Sequence, residues 1–202
     1  MILSVFSFSI FYVFFKPYFS EHEGLSIPSG PDCKDLLIYS KNFSNPAKAG
    51  IQIGFKLRYP SNWSRLEWME IDTGDEINIY LTPSSEKSYS QPNHIVAVRA
   101  KLPTPSEPQT LEEMTNFLLQ DCKEVLEISN TSFKGIPAVR LKCSSEEDEG
   151  IFLAFCFYFV NKVRVQGIEL PVIYQIAYFS KPESYENFVD EVNKMIECFE
   201  IV

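Results

Sequence analysis

The chain has 202 residues, which is the length of a single domain with room for a hydrophobic core. Its 27 acidic and 18 basic residues give a formal charge of −9, which argues against a nucleic-acid-binding protein because phosphates require a basic surface. Hydrophobic residues make up 45% and charged residues 22%, so the composition is not that of a disordered chain.

The N-terminal residues predict a membrane-directed segment followed by a tether. Met1 to Phe15 is almost entirely apolar and aromatic, which predicts a signal-peptide core or a short membrane anchor over residues 1–19. A buried N-terminal helix or strand is the alternative. Residues 20–35 are rich in Gly, Ser, Pro and acidic side chains and predict the tether. The expected location is therefore membrane-anchored or secreted, with the folded domain over residues 36–202.

Strands dominate the prediction for this domain. Ile51–Tyr59 alternates apolar and polar side chains, which predicts a half-buried strand ended by Pro60, and Trp63 is expected to fold back onto the core. Further strands and hairpins are predicted by short apolar runs between turn residues: 36–39, 66–71 with 77–81, 95–101, and 128–133 with 136–143.

Two amphipathic helices are predicted. Thr110-Leu-Glu-Glu113 is a capping box, and the apolar stripe after it continues to Val125 and Leu126. Near the C-terminus, the strand Val172–Phe179 is followed by a helix-start signal at Ser180 and by apolar residues at helical spacing as far as Phe199.

The run Ile151–Val160 is apolar on both faces, which predicts a central strand covered on both sides. Consecutive strands joined by short turns favour an antiparallel sheet. With a helix available for each face, the predicted fold is α+β: a three-layer α/β/α sandwich with a mostly antiparallel central sheet.

Several motifs, in this order along about 36–202, resemble the PsbP-like family. They are Gly54–Trp63, Leu102-Pro with Thr110–Glu113, Phe133–Arg140, Tyr174–Phe179 and Lys194–Ile201. The resemblance implies the αβα sandwich shared by the photosystem II extrinsic subunit PsbP and the Ran-binding Mog protein. It also implies an extracytoplasmic or lumenal location and action by docking rather than catalysis. Two departures stand out: Cys198 replaces the family's usual Ser, and Asn161–Pro171 lengthens a hairpin that the family closes briefly.

The five cysteines are odd in number and show no CxxC spacing, so neither a disulfide framework nor a zinc site is predicted. Cys122, Cys156 and Cys198 are expected to be small buried hydrophobes. Cys143 with His94 is the only obvious Cys–His pair, although a surface or turn-stabilising role is expected for this histidine.

No catalytic residue, cofactor-binding residue or metal ligand is predicted. His22 lies in the tether, and Glu146–Glu149 favours a solvated acidic loop over a cation site because it lacks the alternating ligand spacing of a calcium loop. Asn42, Asn62 and Asn130 begin sequons, which matter only if the chain is exported into a glycosylating compartment.

Three functional hypotheses follow. The first is a non-enzymatic, membrane-tethered extracytoplasmic module that docks a protein partner at a membrane surface. The second is a carrier for a small apolar ligand or lipid, which the 17 Phe and 10 Tyr suggest and which would need a cavity between sheet and helix. The third is a hydrolase with an unrecognised Ser or Cys site, which would need His94 and Cys143 to lie close together.

Overall fold

The computed structural model describes residues 33–34, 36–45, 51–73, 75–88, 92–147, 150–165 and 167–202. The predicted anchor at 1–19, His22, and all of the predicted tether except residues 33 and 34 lie outside this part of the chain. No helix among the described residues is both long enough and apolar enough to cross a membrane.

The described residues form eleven strands and two α-helices. In chain order they are β1 (Leu37–Asn45), β2 (Ile51–Tyr59), β3 (Trp63–Arg65), β4 (Ile71–Asp72), β5 (Glu76–Pro83), β6 (His94–Lys101), α1 (Leu111–Gln120), β7 (Glu124–Phe133), β8 (Ile136–Glu147), β9 (Gly150–Val165), β10 (Ile168–Ser180), α2 (Val189–Glu197) and β11 (Glu200–Ile201). Short 3-10 helices cover Glu67–Met69, Ser84–Glu86 and Pro182–Asn187.

The strands form two sheets, and every described pair of strands is antiparallel. The large sheet has the order β3-β5-β6-β10-β9-β8-β7, with β4 also paired to β5, and the small sheet has the order β1-β2-β11. Lys134 and Gly135 both have positive φ (50° and 83°), as a two-residue hairpin turn between β7 and β8 requires. The mostly antiparallel sheet predicted from the sequence is therefore confirmed.

Strand β9 lies inside the large sheet, between β10 and β8, and it is apolar on both faces as predicted. Phe157 and Phe159 point into a core shared with α2 and with β2 of the small sheet. Cys156 and Tyr158 point into a smaller core under α1. Because a helix and a small sheet together occupy one face, the fold is a sheet-dominated α+β structure, and the three-layer α/β/α sandwich is not confirmed.

The prediction for the middle helix was too long. Helix α1 begins at its capping box, where Thr110 Oγ1 accepts from the Glu113 amide and the Glu113 carboxylate accepts from the Thr110 amide. It ends at Gln120, and Val125 pairs with Cys143 in the β7–β8 ladder. The helical spacing of Val125 is thus overridden by pairing with a strand that comes later in the chain.

Two other predicted elements differ in detail. Residues 66–71, predicted as one strand of a hairpin, contain the 3-10 helix Glu67–Met69 between β3 and β4. The C-terminal helical pattern divides into the 3-10 helix Pro182–Asn187 and α2, since Phe188 has a non-helical backbone. Trp63 is buried, as expected, and its Nε1–H donates to Glu191 of α2.

The cysteine prediction was wrong for four of the five residues. Cys33 bonds Cys198 with a Cα–Cα distance of 6.0 Å, and Cys122 bonds Cys143 with a Cα–Cα distance of 5.7 Å. Both pairs join segments that the fold brings together, so their sequence spacing carried no signal. Cys156 is the buried free thiol that was expected.

Candidate functional site

His94 is the described residue whose surroundings most resemble a reactive group. Its Nδ1–H donates to Glu86 Oε1 at 2.7 Å, while Glu86 Oε2 accepts from the backbone amides of Asn93 and His94. The imidazole packs edge-on against Phe188, with ring centroids 4.7 Å apart. Nε2 is buried without a hydrogen-bond partner among the described residues. This arrangement fixes the ring and closes the loop that begins at Ser84–Glu86, so the turn-stabilising role is confirmed and the surface role is wrong.

A nucleophile for His94 is not supplied by Cys143. Across the large sheet, His94 on β6 pairs with Ser180 on β10, Ser180 pairs with Leu153 on β9, and Leu153 pairs with Ser144 on β8. Cys143 is thus three strands from His94, or about 14 Å at the usual inter-strand spacing. Its sulfur is also held in the bond to Cys122. The only Cys–His pair suggested by the sequence therefore cannot act as a nucleophile and its base.

The other ionisable groups of the interior are unsuited to chemistry at neutral pH. Burial raises the pKa of the Cys156 thiol to about 12, so this cysteine is a neutral core residue. Burial likewise raises the pKa of Tyr158 to about 12, and its hydroxyl donates to Thr115 Oγ1 of α1 at 3.0 Å. The protonated Tyr158 hydroxyl thus ties the large sheet to α1.

No group of His, Cys, Asp and Glu side chains that could hold a metal ion occurs among the described residues. Of the predicted acidic loop, Glu146 is the member whose side chain is described, and it forms an ion pair with Lys123. A lysine partner for Glu146 is compatible with a solvated acidic loop.

The space between the large sheet and α2 is filled by aromatic rings. Phe159 stacks on Phe133 at 4.7 Å and on Tyr174 at 5.1 Å, and Phe199 stacks on Phe55 at 5.5 Å. These five side chains are almost completely buried. The aromatic residues that suggested a ligand carrier are therefore packed against one another, which argues against an apolar ligand at this position.

One end of the large sheet carries an exposed tryptophan. Trp68, in the 3-10 helix between β3 and β4, is 62% exposed. It lines a surface depression of about 290 Å³ together with Arg65, Leu66, Glu67 and Lys87. Arg65 is held in place by two 2.8 Å hydrogen bonds to the Glu70 carboxylate. We call Arg65, Leu66, Glu67, Trp68 and Lys87 the Trp68 surface; it combines an apolar ring with charges of both signs.

Sequence reasoning missed the Trp68 surface because residues 66–71 were predicted as one strand of a hairpin. Leu66 is buried, but the 3-10 turn that follows it leaves Trp68 exposed. An unusual density of large apolar residues between charged ones was the available signal, and it does not distinguish a half-buried strand from an exposed turn.

The opposite end of the large sheet is the edge strand β7. Val125, Leu126 and Ile128 are all exposed there, next to the exposed Glu124 and Glu127. The pairing with β8 is irregular between Val125 and Glu127. Negative charges and a bulge are devices that discourage another strand from adding to an edge, so β7 is a poorer docking surface than its apolar residues alone would indicate.

No family model matches the chain, and no curated protein matches it. Among solved structures, the chain is similar to the solution structure of cyanobacterial PsbP (CyanoP) from Synechocystis sp. PCC 6803, with 10% sequence identity and a TM-score of 0.49. That similarity covers 89% of this chain and 98% of the other. The sequence motifs noted above resemble the family of this PsbP protein.

The chain is also similar to the crystal structure of LpqN, which is involved in cell envelope biogenesis of Mycobacterium tuberculosis. Here the sequence identity is 13%, the TM-score is 0.45, and the coverage is 82% of this chain and 91% of the other. Both likenesses concern the fold, and neither indicates what this chain binds.

Proposed function

We propose that this chain is a non-enzymatic extracytoplasmic module, tethered to a membrane by its N-terminal residues, that docks a protein partner through the Trp68 surface. The observation that carries the proposal is the exposure of Trp68 beside a depression with a charged rim. Tryptophan is one of the residue types enriched among those that dominate binding energy at protein interfaces.

The two disulfides support the extracytoplasmic part of the proposal. Cys33–Cys198 and Cys122–Cys143 account for four of the five cysteines in the sequence. Structural disulfides form and persist in oxidising compartments and are rare in the cytosol. They agree with the hydrophobic residues 1–19, which remain a predicted anchor.

The charge of the chain indicates the kind of partner. A formal charge of −9 produces a long-range negative potential, which accelerates encounter with a positively charged surface and disfavours an acidic one. The partner is therefore a protein with a basic overall surface, whose docking face offers an apolar pocket large enough for an indole ring and charges complementary to those of Arg65, Glu67 and Lys87.

Site-specific photocrosslinking in intact membranes tests the docking site. A photoreactive side chain replaces Trp68 in the full chain, or, as a matched control, replaces Ile168, which is 64% exposed on the distant β9–β10 hairpin. We expect one discrete protein adduct from position 68 and none from position 168. A second probe at Lys87 is expected to capture the same protein and to lose it when Trp68→Ala is added.

Two results would overturn the proposal. Equal labelling from positions 68 and 168 would mean that the Trp68 surface has no specific partner. Absence of any protein adduct, together with a lipid extracted stoichiometrically from the purified chain, would favour the carrier hypothesis. Because Trp68 is mostly exposed, Trp68→Ala should change the free energy of unfolding by less than about 0.5 kcal/mol, so lost capture would not reflect unfolding.

A further inference from the structure

The exposed edge strand β7 carries a sequon that the docking function does not use. Asn130-Thr131-Ser132 has the Asn-x-Ser order that oligosaccharyl transferases recognise. Asn130 and Ser132 are both exposed, and Asn130 pairs through its backbone with Val139 of β8. A sugar on the Asn130 side chain would thus project into solvent while the strand keeps its ladder.

The second sequon with described side chains is engaged in the fold. The Asn62 amide donates to Glu191 Oε1 at 3.4 Å, and Ser64 Oγ lies 2.8 Å from Ser84 Oγ. Between them, Trp63 is buried and also bonded to Glu191. A glycan at Asn62 would displace the Glu191 contact and crowd the junction of β3 with α2, whereas at Asn130 no described side-chain hydrogen bond is lost.

The position of Asn130 also suits the surface around it. Val125, Leu126 and Ile128 leave an apolar stretch exposed on the same edge strand, and uncovered edges of this kind are prone to pair with other chains. A hydrated oligosaccharide two residues beyond Ile128 would cover this stretch, adding to the protection given by Glu124 and Glu127.

We propose that Asn130 is an N-glycosylation site, resting on the extracytoplasmic location proposed above. In the modification, Asn130 Nδ2 attacks the anomeric carbon of a lipid-pyrophosphate-linked oligosaccharide. A nitrogen–carbon bond forms, the bond from that carbon to the pyrophosphate oxygen breaks, and the lipid pyrophosphate leaves with the electron pair. Nδ2 loses one proton to a base of the transferase, so no oxidant or reductant is consumed.

The test is mass spectrometry of the full chain purified from the membranes of the cells that produce it. Trypsin cleaves after Lys123 and Lys134, so residues 124–134 form one peptide with Asn130 as its only sequon, while residues 59–65 hold Asn62. We expect the peptide 124–134 to carry the mass of whole sugar residues, assigned to Asn130 by fragmentation, and the peptide 59–65 to be bare. Ser132→Ala should abolish the added mass without touching Asn130, and Ser132→Thr should retain it.

The same digest, kept unreduced, reports the compartment through the linked peptides that contain Cys122 and Cys143. Linked cysteines with a bare 124–134 peptide, or with sugar on 59–65 instead, would overturn the glycosylation site and leave the location intact. Reduced cysteines with a bare peptide would overturn the location and the glycosylation site together.

Discussion

The two faces of the large sheet are built differently. On the α2 face, β2 and α2 cover a wide core in which phenylalanine and tyrosine rings contact one another. On the α1 face, one helix covers a smaller core of mainly aliphatic and sulfur-containing side chains, such as Met114, Leu141 and Cys156. Each face has its own disulfide, since Cys198 follows α2 and Cys122 follows α1. The comparison indicates that the α2 face supplies most of the stability, while the α1 face holds the helix to the β8–β9 half of the sheet.

The largest expected effect comes from opening the disulfide of the α2 face. Cys33 and Cys198 are separated by 165 residues and Cys122 and Cys143 by 21, so chain entropy predicts losses of about 5 and about 3 kcal/mol when each pair is replaced by alanine. Urea denaturation of the two double variants measures both values. A larger loss of stability on removal of the Cys122–Cys143 pair would mean that the disulfide of the α1 face stabilises the fold more than that of the α2 face.

Smaller losses of stability are expected from changes to the core side chains themselves. Phe159→Ala removes a ring that stacks on Phe133 and Tyr174, and should lower the free energy of unfolding by about 4 kcal/mol. Met114→Ala, the matched change on the α1 face, should cost about 2 kcal/mol because its flexible side chain leaves a space that neighbours can partly fill. Equal losses in chemical denaturation would mean that both cores are packed with the same rigidity.

The smallest expected effect is a pH dependence of the free energy of unfolding, caused by Tyr158 on the α1 face. Burial raises the pKa of Tyr158 to about 12, above the ordinary tyrosine value of about 10, so the unfolded chain loses this proton first. The stability due to the protonated hydroxyl is fully present below about pH 10 and is lost as the pH rises toward about 12. Tyr158→Phe should flatten this alkaline decline, while costing about 1 kcal/mol at neutral pH through the lost bond to Thr115.

Urea midpoints measured across this pH range for the wild type and for Tyr158→Phe test the prediction. Tyr178, on the α2 face, also has its pKa raised to about 12 by burial, so Tyr178→Phe should flatten the alkaline decline in the same direction. If the urea midpoint falls equally with rising pH in the wild type and in Tyr158→Phe, burial under α1 does not raise the pKa of Tyr158.

Local sequence patterns predicted the structure correctly where the residues of a segment determine its conformation by themselves. The capping box at Thr110, the Lys134-Gly135 turn and the doubly apolar strand β9 were all predicted because backbone preference and side-chain pattern point the same way. They failed where the conformation depends on contacts with a distant segment. Val125 is an example, because it has helical spacing but forms a strand by pairing with Cys143.

The features most relevant to function were the least predictable. The disulfides depend on pairs of cysteines that only the folded chain brings together. The dyad of Glu86 with His94 depends on how a loop closes, and the exposure of Trp68 depends on a single turn of 3-10 helix. None of these features has a periodicity that a sequence could display, so the sequence suggested docking as a class of function but did not point to the surface proposed for it.

The Cys33–Cys198 bond also has a mechanical consequence. Strand β1 begins four residues after Cys33 and is the outer strand of the small sheet, where it pairs with β2. A pulling force applied to the chain upstream of Cys33 would otherwise peel β1 from β2 one hydrogen bond at a time. With the bond in place, the load passes from Cys33 directly to the end of α2, next to the buried Phe199. The domain can thus bear tension from its N-terminal side without opening the β1–β2 ladder.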